Sequence, residues 1–262
     1  MSAEVKPSNS QRWLPRVGSN PHAELRLFCL SYAGGGASVY YPWRHAVPEL
    51  VEVCPVQLPG REERVDEPCI SEFDQVVELL APVMGEHLDI PYMIYGHSMG
   101  AGLAFELSHR LLNDYGKPPS HLFVGAHRSP TQPYGYPSVK STSEDVVLDV
   151  LSGFEGMPEA ILKNRELLDL FLPILRSDLL VCETYRYRER TPLACPITLF
   201  TGRDDKNVTS QELVGWGDQT TGTFVHQELE AGHFFLKSHQ KQLLELVGAK
   251  LAGALENSVE HA

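Results

Sequence analysis

Gly96 His97 Ser98 Met99 Gly100 sets a serine between two glycines, directly after the short apolar run Tyr92 to Tyr95 and before the apolar helical pattern Met99 to Leu112. At the tip of a tight strand-to-helix turn, a serine hydroxyl stands clear of the sheet at the positive end of the helix that follows. Side chains on the flanking glycines would collide with neighbouring backbone there, which is why the pattern needs them. Ser98 is therefore a candidate nucleophile, and the Met99 amide is placed to face an oxyanion formed on an attacked carbonyl. The five-residue pattern alone is cheap: at ~7% usage of Gly and of Ser, a chain of this length meets it by accident about one time in ten. Its value depends on finding a base and an acid in a compatible place.

His233 and Asp205 fill those roles. His233 lies in Glu230 Ala231 Gly232 His233 Phe234 Phe235 Leu236, just past a strand-like run, and that position singles it out among 11 histidines. Asp205 lies in Gly202 Arg203 Asp204 Asp205 Lys206 Asn207 Val208, also past a strand-like run. Its neighbour Asp204 competes for the same role. Only one of two adjacent side chains can normally reach the base, and Asp205 is the stronger candidate. The chain order Ser, Asp, His is that of α/β-hydrolases and differs from the two familiar serine-protease orders. His45, His97 and His127 show no metal-ligand spacing, so no metal is expected.

Such residues converge only if the right elements carry them. Strand-like runs occur at Leu25–Ser31, Val51–Leu58, Tyr92–Tyr95, Leu122–Ala126, Pro196–Thr201 and Thr223–Leu229. Helical patterns between them (around Tyr40 to Ala46, from Ser71, Met99 to Leu112, Thr209 to Trp216 and about Ser238 to Leu255) predict a mostly parallel sheet flanked by helices. Ser71 is expected to cap its helix. In a parallel sheet all the loops after strands open on one edge, which gathers distant residues. The first strand opens into Tyr32 Ala33 Gly34 Gly35 Gly36, which lacks any phosphate-loop pattern. It suits a second oxyanion donor, the Ala33 amide.

The alternation fails over residues 131–191. Glu144 to Leu151, Pro158 to Asn164 and Arg165 to Tyr187 are helix-periodic, and Pro173 is expected to kink or split the last. This stretch is expected to be a helical lid insertion in a core of residues 25–130 and 192–257, with residues 1–24 a loose tail onto which Trp13 and Leu14 pack. Phe154, Met157, Leu167, Phe171, Leu172 and Leu175 are candidates to line a hydrophobic channel, or simply core.

At 262 residues with 42% hydrophobic content, one domain with an insertion is expected. The net charge of -12 argues against nucleic acid or anionic membranes as partners. Five cysteines without C-x-x-C spacing read as reduced core thiols. No apolar leader pattern occurs in residues 1–10 and no apolar run approaches 18 residues, so a cytoplasmic monomer is expected.

With these residues identified, the sequence resembles the external, type II thioesterases of polyketide and nonribosomal peptide synthases, a family that includes the medium-chain thioesterase of animal fatty acid synthase. The similarity runs from about Leu25 to Leu236. It rests on Ala33 Gly34 Gly35, Gln57 Leu58 Pro59 Gly60 Arg61 Glu62 with Arg64, the Ser98 turn, Pro173 to Asp178 with Tyr185, Gly202 to Asp205, Trp216, and Gly232 to Leu236. The Gln-Leu-Pro-Gly-Arg-Glu segment is the most specific, since general esterases do not resemble it. The resemblance implies an α/β-hydrolase fold with a helical lid. It implies hydrolysis of acyl thioesters from the phosphopantetheine arm of acyl or peptidyl carrier protein domains. Ser98, Asp205 and His233 would be catalytic, Ala33 and Met99 would form the oxyanion hole, and the enzyme would need no cofactor of its own. Release of medium-chain acyl groups from a fatty acid synthase, or acyl transfer through the same serine, are the alternatives. The chain departs from the family pattern at Ser31 Tyr32, where Pro-His is common, and at Lys206, where proline often follows the acid. A carrier is typically acidic, so Arg186, Arg188 and Arg190, with Arg61 and Arg64, are candidate steering cations or a solvated helix end.

Overall fold

The computed structural model describes residues 8–135, 138–140 and 164–259. Six parallel strands form one sheet in the order β2-β1-β3-β4-β5-β6. They are β1 (Leu25–Leu30), β2 (Val51–Pro55), β3 (Tyr92–His97), β4 (His121–Gly125), β5 (Ile197–Gly202) and β6 (Phe224–Leu229). In β3, β4 and β5 successive side chains alternate between two buried faces, so these strands read as largely apolar runs, whereas edge strand β6 keeps exposed His226 and Glu228. Phe28, Leu30, Ile94, Leu122, Val124 and Leu199 belong to one core, and Leu27, Cys29, Met93, Tyr95, Phe123 and Phe200 to the other.

The first core is covered by α1 (Asn9–Trp13), α2 (Phe73–Gly85) and α3 (Met99–Tyr115). The second is covered by a 3-10 segment, Ala37–His45, and by the C-terminal helix. The remaining helices are α4 (Arg165–Thr184), α5 (Phe235–Ser238) and α6 (Gln240–Val259). Helix α3 is buried on nearly every face over its first ten residues. Its small residues Gly100, Ala101, Gly102 and Ala104 bring it close to the strands.

Several expectations are corrected. Residues 8–14 are a capped helix and not a loose tail, while Trp13 and Leu14 pack into the core as expected, and the Trp13 carbonyl accepts from the Gln57 amide at 2.8 Å. Ser71 does not cap α2. The Phe73 amide donates instead to Thr184 Oγ1 at 3.0 Å, so the end of α4 caps the start of α2. Pro173 does not split α4, because it sits on the exposed face where its missing N–H frees only the carbonyl of exposed Asp169. The helix expected from Thr209 to Trp216 is two 3-10 turns, Ser210–Leu213 and Gly217–Gln219, interrupted by Gly215 at φ +103°. The patterns at Glu144 to Leu151 and Pro158 to Asn164 lie outside the described residues, apart from Asn164, whose side chain caps α4. Phe154 and Met157 lie outside them too. Among the described residues no helix is long and apolar enough to cross a membrane.

All five cysteines are free thiols. Burial lowers the pKa of His109, His121 and His127 to about 4 in each case. The unfolded chain takes up these protons near pH 6.5, the folded chain only near 4. Stability is therefore whole above pH 6.5 and falls as pH drops through that window, by about 1.4 kcal/mol per pH unit for each histidine. Denaturant midpoints measured at pH 7, 6 and 5, above the carboxylate range, should decline steadily. Equal midpoints at pH 7 and 5 would contradict this account.

Candidate active site

Strand order reverses between β1 and β3: β2 lies to one side of β1 and all later strands lie to the other. A crevice opens at such a point beyond the carboxyl ends of the strands. The loop after β1 carries Ala33, and the turn after β3 carries Ser98.

Ser98 adopts φ 54°, ψ -120°, a strained conformation for a residue with a side chain. Its amide donates to the Gly125 carbonyl of β4 at 2.8 Å, which fixes the turn to the sheet. A Cβ on Gly96 would lie 2.2 Å from the Gly100 carbonyl oxygen, and one on Gly100 would lie 2.3 Å from that of Leu30. The turn is thus closed on both sides by backbone.

His233 Nε2 lies 3.0 Å from Ser98 Oγ, and Nδ1 lies 2.8 Å from Asp205 Oδ2. With Nδ1–H donating to the carboxylate, Nε2 is left as the acceptor for the serine proton. His233 and Asp205 side chains are 3% and 1% exposed, so this chain of hydrogen bonds is shielded from water. The second oxygen of Asp205 accepts from the Asn207 amide at 2.8 Å. Asp204 is exposed, and its amide donates to the Ala231 carbonyl at 3.0 Å. The geometry thus brings Asp205, and not Asp204, to His233.

His97 has no role assigned from sequence beyond its exclusion as a metal ligand. Its Nε2–H donates to the His233 carbonyl at 2.9 Å, and Tyr95 Oη lies 3.2 Å from Nδ1. Burial, reinforced by the nearby His233, holds its pKa well below the ordinary value, so it is a neutral donor. It ties the residue before the serine to the loop of the base. The only sequence signal was a polar side chain at the end of a fully buried strand.

A cavity of about 480 Å³ opens at Ser98. Ala33, Met99 and His233 border it at the reacting end, and Leu179, Cys182 and Glu183 of α4 form part of its wall. Of the residues expected to line a channel, Leu167, Phe171, Leu172 and Leu175 do not border this cavity. Leu167 is partly exposed, while Leu175 packs with Val139 and Leu179. Tyr32, one of the departures from the family pattern, stands edge-on to Phe234 with ring centroids 4.9 Å apart. The expected steering cations are engaged within the chain. Arg188 pairs with Asp74, Arg190 with Glu106, and Arg186 donates to the carbonyls of Glu183 and Tyr185. Arg61 and Arg64 are buried in ion pairs with Asp178 and Glu67.

A thioesterase-domain family model matches residues 25–251. The chain belongs to the thioesterase family. This thioesterase is 37% identical over 244 residues to gramicidin S biosynthesis protein GrsT of Aneurinibacillus migulanus, covering 93% of this chain and 95% of that protein. It is 30% identical over 223 residues to the human medium-chain S-acyl fatty acid synthase thioesterase, covering 83% of each. Among solved structures, the RedJ thioesterase of the prodiginine pathway in Streptomyces coelicolor superposes with a TM-score of 0.81 at 35% identity, covering 88% of this chain and 87% of that one. The fold is accordingly of the α/β-hydrolase type, and the chain is a thioester-hydrolysing enzyme of the serine hydrolase class.

The nucleophile turn yields a stability test. Gly96→Ala and Gly100→Ala should each destabilise the protein by about 1–3 kcal/mol, because backbone must move to admit a methyl group. Gly248 and Gly253 in α6 have open space around them, so alanine there should be neutral or stabilising by up to ~1 kcal/mol. Denaturant titration of the four variants would expose an error if they ranked otherwise.

Proposed function

We propose that this thioesterase is a type II enzyme that hydrolyses acyl or peptidyl groups from the phosphopantetheine thiol of carrier protein domains in a polyketide or nonribosomal peptide synthase, clearing misprimed or stalled units. The observation that carries the reading is the buried hydrogen-bonded series Asp205, His233, Ser98 at the mouth of the cavity. The kinship with GrsT and RedJ supports the assembly-line setting.

In this reading Ser98 Oγ attacks the thioester carbonyl as His233 Nε2 takes its proton, and the Asp205 carboxylate stabilises the imidazolium. The amides of Ala33 and Met99 receive the oxyanion. Among the described residues no acceptor is bonded to either amide. Collapse expels the pantetheine sulfur, which takes the proton from His233 and leaves an acyl-Ser98 ester. A water molecule then gives its proton to His233, attacks the ester, and releases free acid and Ser98. No cofactor beyond the partner's own arm is required. The same steps would serve medium-chain release from a fatty acid synthase, a reading favoured by the relatives named as medium-chain fatty acid synthase thioesterases.

Acyl-pantetheine thioesters and acyl-loaded carrier protein should be hydrolysed to free acid. Asp205→Asn should lower kcat by about 10³- to 10⁴-fold, through the wrong imidazole tautomer. Asp204→Asn should stay within about threefold of wild type, since it touches no member of the triad. Absence of hydrolysis, or full activity in Ser98→Ala, would overturn the proposal, and ester formation with an added alcohol would redirect it to acyl transfer.

A further inference from the structure

The loop that carries Ala33 is held from two directions. From below, the Gln57 to Glu62 segment supports it: Gln57 Oε1 accepts from the Ala37 amide at 2.9 Å, and the Glu62 carboxylate accepts from the Ser38 amide at 3.2 Å and its hydroxyl at 2.5 Å. From above, helix α4 reaches it through Asp178. Asp178 Oδ2 accepts from the Gly34 amide at 2.6 Å and from Arg61 Nη1 at 2.6 Å, while Oδ1 accepts from Arg61 Nη2 at 2.8 Å. Arg61 Nη1 also donates to the Gly35 carbonyl at 3.2 Å. Side chains of both residues are at most 5% exposed.

These bonds act on the direction of one amide. The Gly35 amide donates to the Tyr32 carbonyl at 2.9 Å. In a planar trans peptide the N–H points opposite the C=O, so fixing the Tyr32 carbonyl fixes the Ala33 N–H. Gly35 in turn sits between two groups held by the ion pair, the Gly34 amide and its own carbonyl. Gly34 at φ +82° permits this turn, and a Cβ there would lie 2.6 Å from Leu175 of α4. Helix α4 therefore rests directly on the oxyanion loop, and three residues of the same helix wall the cavity.

We propose that Asp178 and Arg61 are positioning residues for catalysis: their buried pair transmits the seating of helix α4 to the Ala33 amide, so that the helix walling the cavity also completes the oxyanion hole. This rests on the proposed role of Ala33 as an oxyanion donor. Bidentate geometry suits the task, since a planar guanidinium fixes orientation as well as distance. An amide displaced by about 1 Å costs on the order of 10²-fold in rate.

The test uses Asp178→Asn, Asp178→Ala and the double variant Arg61→Met/Asp178→Leu, in which no lone charge remains buried to unfold the protein. Two affinities are titrated directly: an alkyl boronic acid, whose adduct with Ser98 places an oxygen in the oxyanion hole, and a non-hydrolysable thioether analogue of acyl-pantetheine. The double variant and Asp178→Ala should lose about 10²-fold in kcat with KM within about threefold, and boronate affinity should fall by the same factor while thioether affinity holds. Asp178→Asn keeps an acceptor for the Gly34 amide and should retain kcat within about tenfold. A folded double variant with wild-type kcat and boronate affinity overturns the inference, as does an equal loss in boronate and thioether binding. Ser98→Ala separates the two readings: residual full activity there defeats the proposed function, whereas Ser98-dependent activity indifferent to the pair defeats only this inference.

Discussion

Two strands and one helix meet at Gly96 and Gly100 with no room between their backbones, and this close approach governs the geometry of the whole catalytic edge. Because β1 and β3 are neighbours, the carbonyls of Leu30 and Ser31 press against the first turn of α3. That contact lifts Ser98 into a positive-φ conformation and aims it away from the sheet. The same adjacency puts the loop after β1 beside the serine, so one packing constraint brings Ser98 and the Ala33 loop together. His233 and Asp205 arrive from the loops after β6 and β5, two paired strands on the other side of β4, with Gly202 opposite Leu229 in register. Gly202 repeats the logic of the serine turn, since a Cβ there would lie 2.3 Å from the Ala231 carbonyl oxygen.

Around this edge the buried charges are either removed or paired. His97 and His127 are kept neutral by burial, and each donates one ring N–H to a backbone carbonyl, of His233 and Arg128 respectively. Arg61 remains charged. Burial works against that charge, but the adjacent Asp178 carboxylate more than offsets the effect and raises its pKa above the ordinary value. A lone guanidinium at this depth would be severely destabilising, whereas a bidentate pair also bonded to backbone satisfies its hydrogen-bonding groups. The acidic surface and the internal cations thus serve different ends. Of the arginines that looked like a steering patch in the sequence, Arg61, Arg64, Arg188 and Arg190 are members of ion pairs and Arg186 donates to backbone carbonyls.

The inner strands were legible because burial on both faces makes them short, largely apolar runs bounded by glycine, proline or polar residues. The convergence of Ser98, Asp205 and His233 was legible because topology alone assigns loops after parallel strands to one edge, with no distance needed. What escaped were features made by partners far apart in sequence. Ser71 has the right chemistry for a cap, yet Thr184, 111 residues from Phe73, takes that place. The Arg61–Asp178 pair spans 117 residues, and nothing in the local pattern of either residue announces the other. The Thr209 to Trp216 stretch was misjudged because a positive-φ glycine at 215 overrode its apolar spacing. The same limit explains why a family motif can be noticed at Gln57 to Glu62 without its physical task being evident.

The cap that Thr184 provides to α2 has a further consequence. Helix α4 is fastened at Asp178 and again at Thr184, which lie less than two turns apart, so its C-terminal half is part of the rigid body. Its opening turns carry exposed Leu167 and Leu170. Inheritable change can therefore be partitioned along one helix. Substitutions at exposed Leu167 and Leu170 alter what the helix offers to its surroundings at a distance from the Ala33 loop, whereas Asp178 and Thr184 do not have that freedom. A lineage could diversify at one end of α4 while its chemistry stays fixed at the other.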